Sequence, residues 1–142
     1  MTGSMTSASP LLALRAAILT YLAADSALAR LMGGTFRLYD EPPDGACPVY
    51  AHFGGGETRT DPVDGADRHL HSLALLVVAK PGSAASAVAA ASRMGDLLAD
   101  ADLSLAGHVL VLLRVEAIAT RRDPRSGEAS ATLTLKAVTE AA

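Results

Sequence analysis

Several groups of residues in this sequence have types and spacings that could do chemistry. The first is Gly54-Gly55-Gly56, because unencumbered backbone N–H groups in a glycine turn can cradle an anion. A phosphate loop also needs a Lys and a Ser or Thr after its glycines; here Glu57-Thr58-Arg59 follows, with no helix start behind it. The triplet therefore reads as the base of a flexible loop. Asp61, Asp64 and Asp67 recur at intervals of three, but that spacing misses the alternating oxygen ligands of a calcium loop and no closing Glu falls at the right distance. They read as solvated acids. His69 and His71 lie two apart, so on a strand both rings share a face, and Asp67 and His52 are further candidate metal ligands. A closed zinc site needs four ligands, which the sequence does not bring together, so a polar surface or an interface is the plainer reading.

Cys47 precedes Pro48 with no evident His partner and reads as a small apolar strand residue. As the lone cysteine it excludes an intramolecular disulfide and any multi-cysteine metal centre. There is no G-x-S-x-G elbow and no pair of carboxylates in an apolar setting that would split their pKa values. Arg121, Arg122, Asp123 and Arg125 form the densest basic spot, which is a solvated turn or else projects into an acidic neighbour or toward a phosphate backbone; the overall charge favours the protein neighbour over DNA. Twelve Lys plus Arg against fifteen Asp plus Glu leave the chain at -3, which argues against a general nucleic-acid binder. No residue is assigned to catalysis, to a cofactor or to a metal. The candidate subunit or neighbour contacts are Gly54, Gly55, Gly56, Glu57, Arg59, Asp61, Asp64 and Arg68, with Arg121, Arg122, Asp123 and Arg125.

The elements that must position these residues fit in one domain, given 142 residues. Half the sequence is hydrophobic, but much of that half is alanine and only 4% is aromatic. No window reaches the roughly 20 apolar residues of a membrane helix. Residues 1–9 lack a basic region before an apolar stretch and read as a flexible lead, leaving residues 10–142 as a single α+β domain.

Ser9-Pro10 is a helix start: a hydroxyl caps the first free N–H groups, and proline follows where its missing N–H costs nothing. Leu11, Leu14, Ile18 and Leu22 recur at helical spacing, Leu12 and Leu19 widen the stripe, and Arg15 lies at its edge. This predicts an amphipathic helix over residues 10–24. Asp25 caps a short helix over 26–31, which Gly33-Gly34 ends. Residues 35–39 and 48–53 alternate and read as strands, separated by the stiff turn Glu41-Pro42-Pro43-Asp44-Gly45. The second strand sets Val49, Ala51 and Phe53 on one face, with Tyr50 and His52 on the other. From Gly54 to Arg68 the composition is too polar to offset the entropy of ordering, which predicts a long loop, mobile in an isolated subunit.

Residues 69–79 form a strand whose second half is apolar on both faces, which predicts a central place in a sheet covered on both sides. Ser83 caps a helix to residue 99, thin because of its alanines, with Val88, Ala91, Met94, Leu97 and Leu98 inward. Leu103 and Leu105 anchor the connection to the next strand. Residues 108–120 set Val109, Val111, Leu113, Val115 and Ala117 on one face. Residues 128–138 set Ala129, Ala131, Leu133, Leu135 and Ala137 inward, and 121–127 joins the two strands. The sum is an α+β fold: a mixed or mainly antiparallel sheet of four to five strands with a C-terminal hairpin, and two main helices packed against it.

Short segments in order along the chain resemble the tail-completion, or tail-terminator, family of long-tailed (siphovirus-like) phages and gene transfer agents. They are Leu31-Met32-Gly33-Gly34 after the first helix, Tyr39-Asp40-Glu41-Pro42-Pro43 as a Y-D-x-P-P turn, and Pro48-Val49-Tyr50 with Gly54. His69-Leu70-His71-Ser72-Leu73, the turn at Lys80-Pro81-Gly82, Leu112-Leu113-Arg114 and Arg122-Asp123-Pro124 complete the series. The likeness runs from Leu11 to Val138. It implies a non-enzymatic virion protein without cofactors: a closed ring, usually of six subunits, that terminates the tail tube. The implied partners are further copies of itself, the tail-tube protein and a head-side connector or stopper protein. DNA passes through the lumen without specific binding, and no membrane is involved. The implied place is the head–tail neck of a virion or gene-transfer-agent particle assembled in the host cytoplasm, with residues 54–68 and 121–127 reaching between neighbours. A monomeric neck adaptor or tail-assembly chaperone of the same particle is the alternative.

Overall fold

A computed structural model of the chain describes residues 9–39, 49–63, 66–80, 84–99 and 101–142. Their elements are α1 (Pro10–Ala23), α2 (Ser26–Leu31), β1 (Leu38–Tyr39), β2 (Val49–Val63), β3 (Ala66–Ala79), α3 (Ala84–Ala99), β4 (His108–Arg122) and β5 (Ala129–Ala141). The strands form one sheet in the order β1-β2-β3-β5-β4, antiparallel throughout except for β1, which lies parallel to β2. This is the expected mixed α+β sheet with its C-terminal hairpin. The lead before Ser9, the turn at 41–45, Cys47, Asp64 and the cap Ser83 lie outside the described residues.

The helix starts follow their capping residues. The Ser9 hydroxyl accepts from the Leu12 N–H at 3.3 Å, and the Asp25 carboxylate accepts from the Leu28 N–H at 2.8 Å. Asp25 also receives both Nε and Nη2 of Arg93 on α3, at 3.0 and 2.8 Å, which ties the short helix to the long one. Gly33 and Gly34 end this segment with φ of 91° and 107°, a region glycine enters at little cost.

On α1, Leu14, Ile18 and Leu22 are fully buried, but Leu12 is 59% and Leu19 38% exposed. They do not widen the buried stripe: they make the outer side apolar as well, so α1 is apolar around its circumference rather than amphipathic. On α3 the buried residues are Ala87, Ala90, Ala91, Met94, Gly95 and Leu98. Val88, expected inward, is 39% exposed because it falls one helical step outside that stripe. The small residues let α3 lie close to the sheet: a Cβ at Gly95 would sit 3.6 Å from Ile118 and Leu133.

Both long helices cover the same side of the sheet. Arg15 of α1 places its guanidinium 4.4 Å from the centre of the Phe53 ring, and Phe53 shares the buried face with Leu73, Leu75, Val77, Leu133 and Leu135. The opposite face carries no helix among the described residues, and Ala74, Leu76 and Val78 on it are half-buried. β3 is therefore central, as expected, but clad on one side only.

The polar segment 54–68 is not a loop. β2 continues through Gly54, Gly55 and Gly56 to Val63, and β3 already starts at Ala66. A bulge between Phe53 and Gly56 admits one extra residue opposite Ala74, after which the strands pair residue for residue to Val63 and Ala66. Ladder hydrogen bonds to β3 satisfy the β3-facing half of the backbone groups in a segment that buries little apolar area. The sequence holds a further signal, since Asp-Gly, here Asp64-Gly65 between the paired ends, is a preferred hairpin dipeptide.

Two departures remain. Of residues 35–39, only Leu38 and Tyr39 form a strand, while the Arg37 guanidinium donates to the Met32 carbonyl at 2.8 Å. In β4, register shifts between Leu110 and Leu112 and between Val115 and Ala117 break the simple alternation. Leu113 and Val115 lie opposite Ala137 and Leu135 on the clad face, whereas Val109 and Ala117 lie opposite Glu140 and Thr134 on the bare one. Each bulge flips the parity of the residues beyond it.

Candidate assembly surfaces

The register arranges the bare face in rows. Arg59, Leu70, Val138 and Leu112 form one row across β2, β3, β5 and β4, and Glu57, Ser72, Lys136 and Arg114 form the next. In the first row Leu70 and Leu112 are exposed and Val138 is half-buried, and charge pairs surround them. Arg59 donates to Glu57 at 2.8 Å, Arg68 to Glu140 at 2.7 Å, and Arg114 to Glu116 at 3.4 Å. A shallow pocket of about 350 Å3 opens there over Leu70, Leu112 and Val138. An apolar floor with a charged, solvated rim is the anatomy of a protein–protein contact. Toward the other end of the same face, Tyr50 lies between Tyr39 and His52, with ring centres 6.4 and 6.1 Å away.

The expected contact residues of the first group are thus on strands. Gly54 sits where β2 meets the side chain of Leu76: a Cβ there would lie 2.5 Å from the Leu76 Cδ1, while Gly55 faces open space. Gly56, Glu57 and Arg59 continue β2, Asp61 stands in register with Arg68, and Arg68 engages Glu140. Asp64 lies outside the described residues. The second group surrounds the β4–β5 turn at the opposite end of the sheet. There the Asp123 carboxylate accepts from the Arg125 N–H at 2.8 Å and the Ser126 N–H at 3.4 Å, and Gly127 takes φ of 76°. Arg121 stands opposite Ser130 on the bare face and Arg122 opposite Ala129 on the clad one, so the arginines cluster in sequence but divide between faces. The level of Arg68 and that of Ala79, which lines up with Arg122 through Ala129, are eleven residues apart along β3, about 37 Å of strand.

The histidines do not converge on a metal. His52 faces the bare side, its Nδ1 3.1 Å from the Phe53 carbonyl oxygen, while His69 and His71 face the clad side. His71 is 2% exposed, with Nδ1 2.9 Å from the Thr58 hydroxyl and Nε2 2.8 Å from the Thr139 hydroxyl. A neutral imidazole suits both contacts, since one ring N–H donates, the other nitrogen accepts, and a hydroxyl can do either. Burial, reinforced by the nearby His69 and His108, holds the His71 pKa below its ordinary value. Among the described residues no group of three or more His, Cys, Asp and Glu is placed to hold a metal ion. This threonine–histidine–threonine link is invisible in the sequence while Thr58 counts as loop; the alternation of Thr58 and Thr60 with His69 and His71 is the signal for it.

The described residues thus form a sheet clad by helices on one side, with charged groups at its rims and on its bare face. The family described as tail completion protein gp17 matches residues 16–140, and the chain belongs to that family. It is also similar to a chain in the solved "Virion of native gene transfer agent (GTA) particle", with 30% identity over 94% of this chain and 99% of that one, at a TM-score of 0.83. A second solved chain, 18% identical over 95% of this chain and 97% of its own, superposes less closely, at a TM-score of 0.49. No curated protein matches the sequence.

Proposed function

We propose that this protein forms a closed ring at the head–tail neck of a phage or gene-transfer-agent particle, ends growth of the tail tube and joins the tail to a head-side connector or stopper protein. Six subunits is the ring size the resemblance implies. The observation that carries this reading is the end-to-end likeness, at a TM-score of 0.83, to a chain of a native gene-transfer-agent virion. Membership of the tail completion family supports it. The geometry supports it too, since the two groups of expected contact residues differ in composition and place: one runs from mid-sheet at Gly54 to the β2–β3 hairpin end at Asp61 and Arg68, and the other surrounds the β4–β5 turn at the opposite end. A subunit with two unlike contact surfaces associates head to tail and makes a ring when the rotation closes.

In this reading Gly54, Gly55, Gly56, Glu57, Arg59, Asp61, Asp64 and Arg68 meet one neighbour, and Arg121, Arg122, Asp123 and Arg125 meet another. The slight acidic excess, -3, lets DNA pass without specific binding. The protein acts by shape and association and turns over no substrate. Removing its gene from a producing strain tests this: over-long tails or tails without heads are expected. Complete absence of tails overturns the reading in favour of an assembly chaperone, and normal particles overturn both.

A further inference from the structure

Two edges of the sheet lack partner strands among the described residues. Along β4 only His108, at its start, is bridged from outside, by Leu105. On the far side β1 covers β2 at Ala51 and His52, leaving Phe53 to Val63 with no strand beyond them. Edges this long present rows of N–H and C=O groups that template pairing with another chain, and proteins normally blunt or cover them. Closing a sheet on itself removes edges altogether. The four long strands are suited to it. In the order β2, β3, β5, β4 they alternate in direction, so β4 of one copy and β2 of a copy related by rotation run antiparallel and the alternation continues across the joint.

Charge points the same way. The row Glu57, Ser72, Lys136, Arg114 ends in a carboxylate at the β2 edge and a guanidinium at the β4 edge. With two copies side by side at the same height, Arg114 of one meets Glu57 of the next, and one row along Leu112 meets the stem of Arg59. In the free chain Glu57 and Arg114 pair with neighbours two residues away on their own strands, in exposed contacts that exchange readily.

We infer that the ring is held edge to edge: β4 of one copy adds antiparallel to the uncovered part of β2 of the next, with Arg114 against Glu57. The inference rests on the ring reading above and names its joint, a second copy of this chain met through a heterologous contact. The test uses assembled particles carrying Cys47→Ser with Glu57→Cys and Arg114→Cys. Within one chain these positions are three strand spacings apart, about 14 Å, beyond the roughly 7 Å a disulfide spans between Cα atoms. Oxidation therefore links only different copies. The expected result is a ladder of covalent multimers ending at the ring number, with the single-cysteine variants staying monomeric. A companion set with Arg59→Cys in place of Glu57→Cys covers a shift of one row. Absence of a ladder from both sets, in particles that contain the ring, overturns the edge joint and leaves the ring reading standing. Particles whose neck holds the wild-type protein in no ring contradict both.

A charge swap reads the same joint without cysteines. Glu57→Arg alone and Arg114→Glu alone are each expected to lower incorporation severalfold, and the two together to restore it. Wild-type incorporation of either single variant contradicts the pairing.

Discussion

His71 is held neutral in the core between two hydroxyls, and that placement makes two predictions. Thr139→Val leaves a buried ring nitrogen without its partner and is expected to cost about 1–3 kcal/mol in urea unfolding. The second concerns pH. Because burial lowers the folded pKa below the ordinary 6.5, the unfolded chain takes up a proton that the folded chain refuses. Stability is therefore flat in this respect above about pH 6.5 and falls as pH drops from there toward the folded value. His71→Gln is expected to shrink that slope between pH 7 and 5; an unchanged slope would assign it to other groups. At this scale the sequence was legible where side chains alternate without interruption, as along Val49, Ala51 and Phe53 and along Ala129 to Ala137. It was not legible where a single inserted residue reverses parity, as at Val109 and Ala117 of β4, since nothing local to those residues announces a bulge.

The long β2–β3 hairpin replaces the expected loop, and the reason belongs to the element. Composition counts the apolar area a segment can bury, but a strand in a hairpin also pairs the backbone groups that face its partner, and Asp-Gly in the sequence is a hairpin-favouring dipeptide that composition ignores. The helices carry the converse lesson. Their existence, starts and lengths follow from Ser9, Pro10, Asp25 and the apolar spacing, yet α1 is apolar on both sides and only contacts decide which side faces the core.

Leu12→Ser, at a position 59% exposed, is accordingly expected to change monomer stability by no more than about 0.5 kcal/mol, checked by denaturant unfolding. A larger loss would mean that this outer face is packed in the free subunit. On α3, Gly95→Ala places a Cβ at ordinary contact distance from Ile118 and Leu133 and removes a helix-weakening glycine, so a gain of about 0.5–1 kcal/mol is expected. Gly95→Leu, which must push α3 off the sheet, is expected to cost about 1–3 kcal/mol. Thermal melts of the pair read the two signs directly.

At the scale of the whole molecule, one face of the sheet is covered by the protein's own helices, while among the described residues the other face carries no helix and most of the β2 and β4 edges carry no partner strand. The α+β class, the mixed sheet and the terminal strand pair were readable because pattern and turn chemistry specify them jointly. What the open face meets was not readable, since contacts with other chains leave no periodicity in this one. The family likeness gives a tail-completion protein of a virion as the setting, and the proposed edge joint gives the open edges a testable occupant.

The most direct measurement is a reconstruction of the particle neck by electron cryomicroscopy. The expected density is a closed ring of copies of this chain seated on the last ring of the tail tube, on the side toward the head. Density for this chain at any other place in the particle, or as isolated copies that do not touch one another, would contradict it.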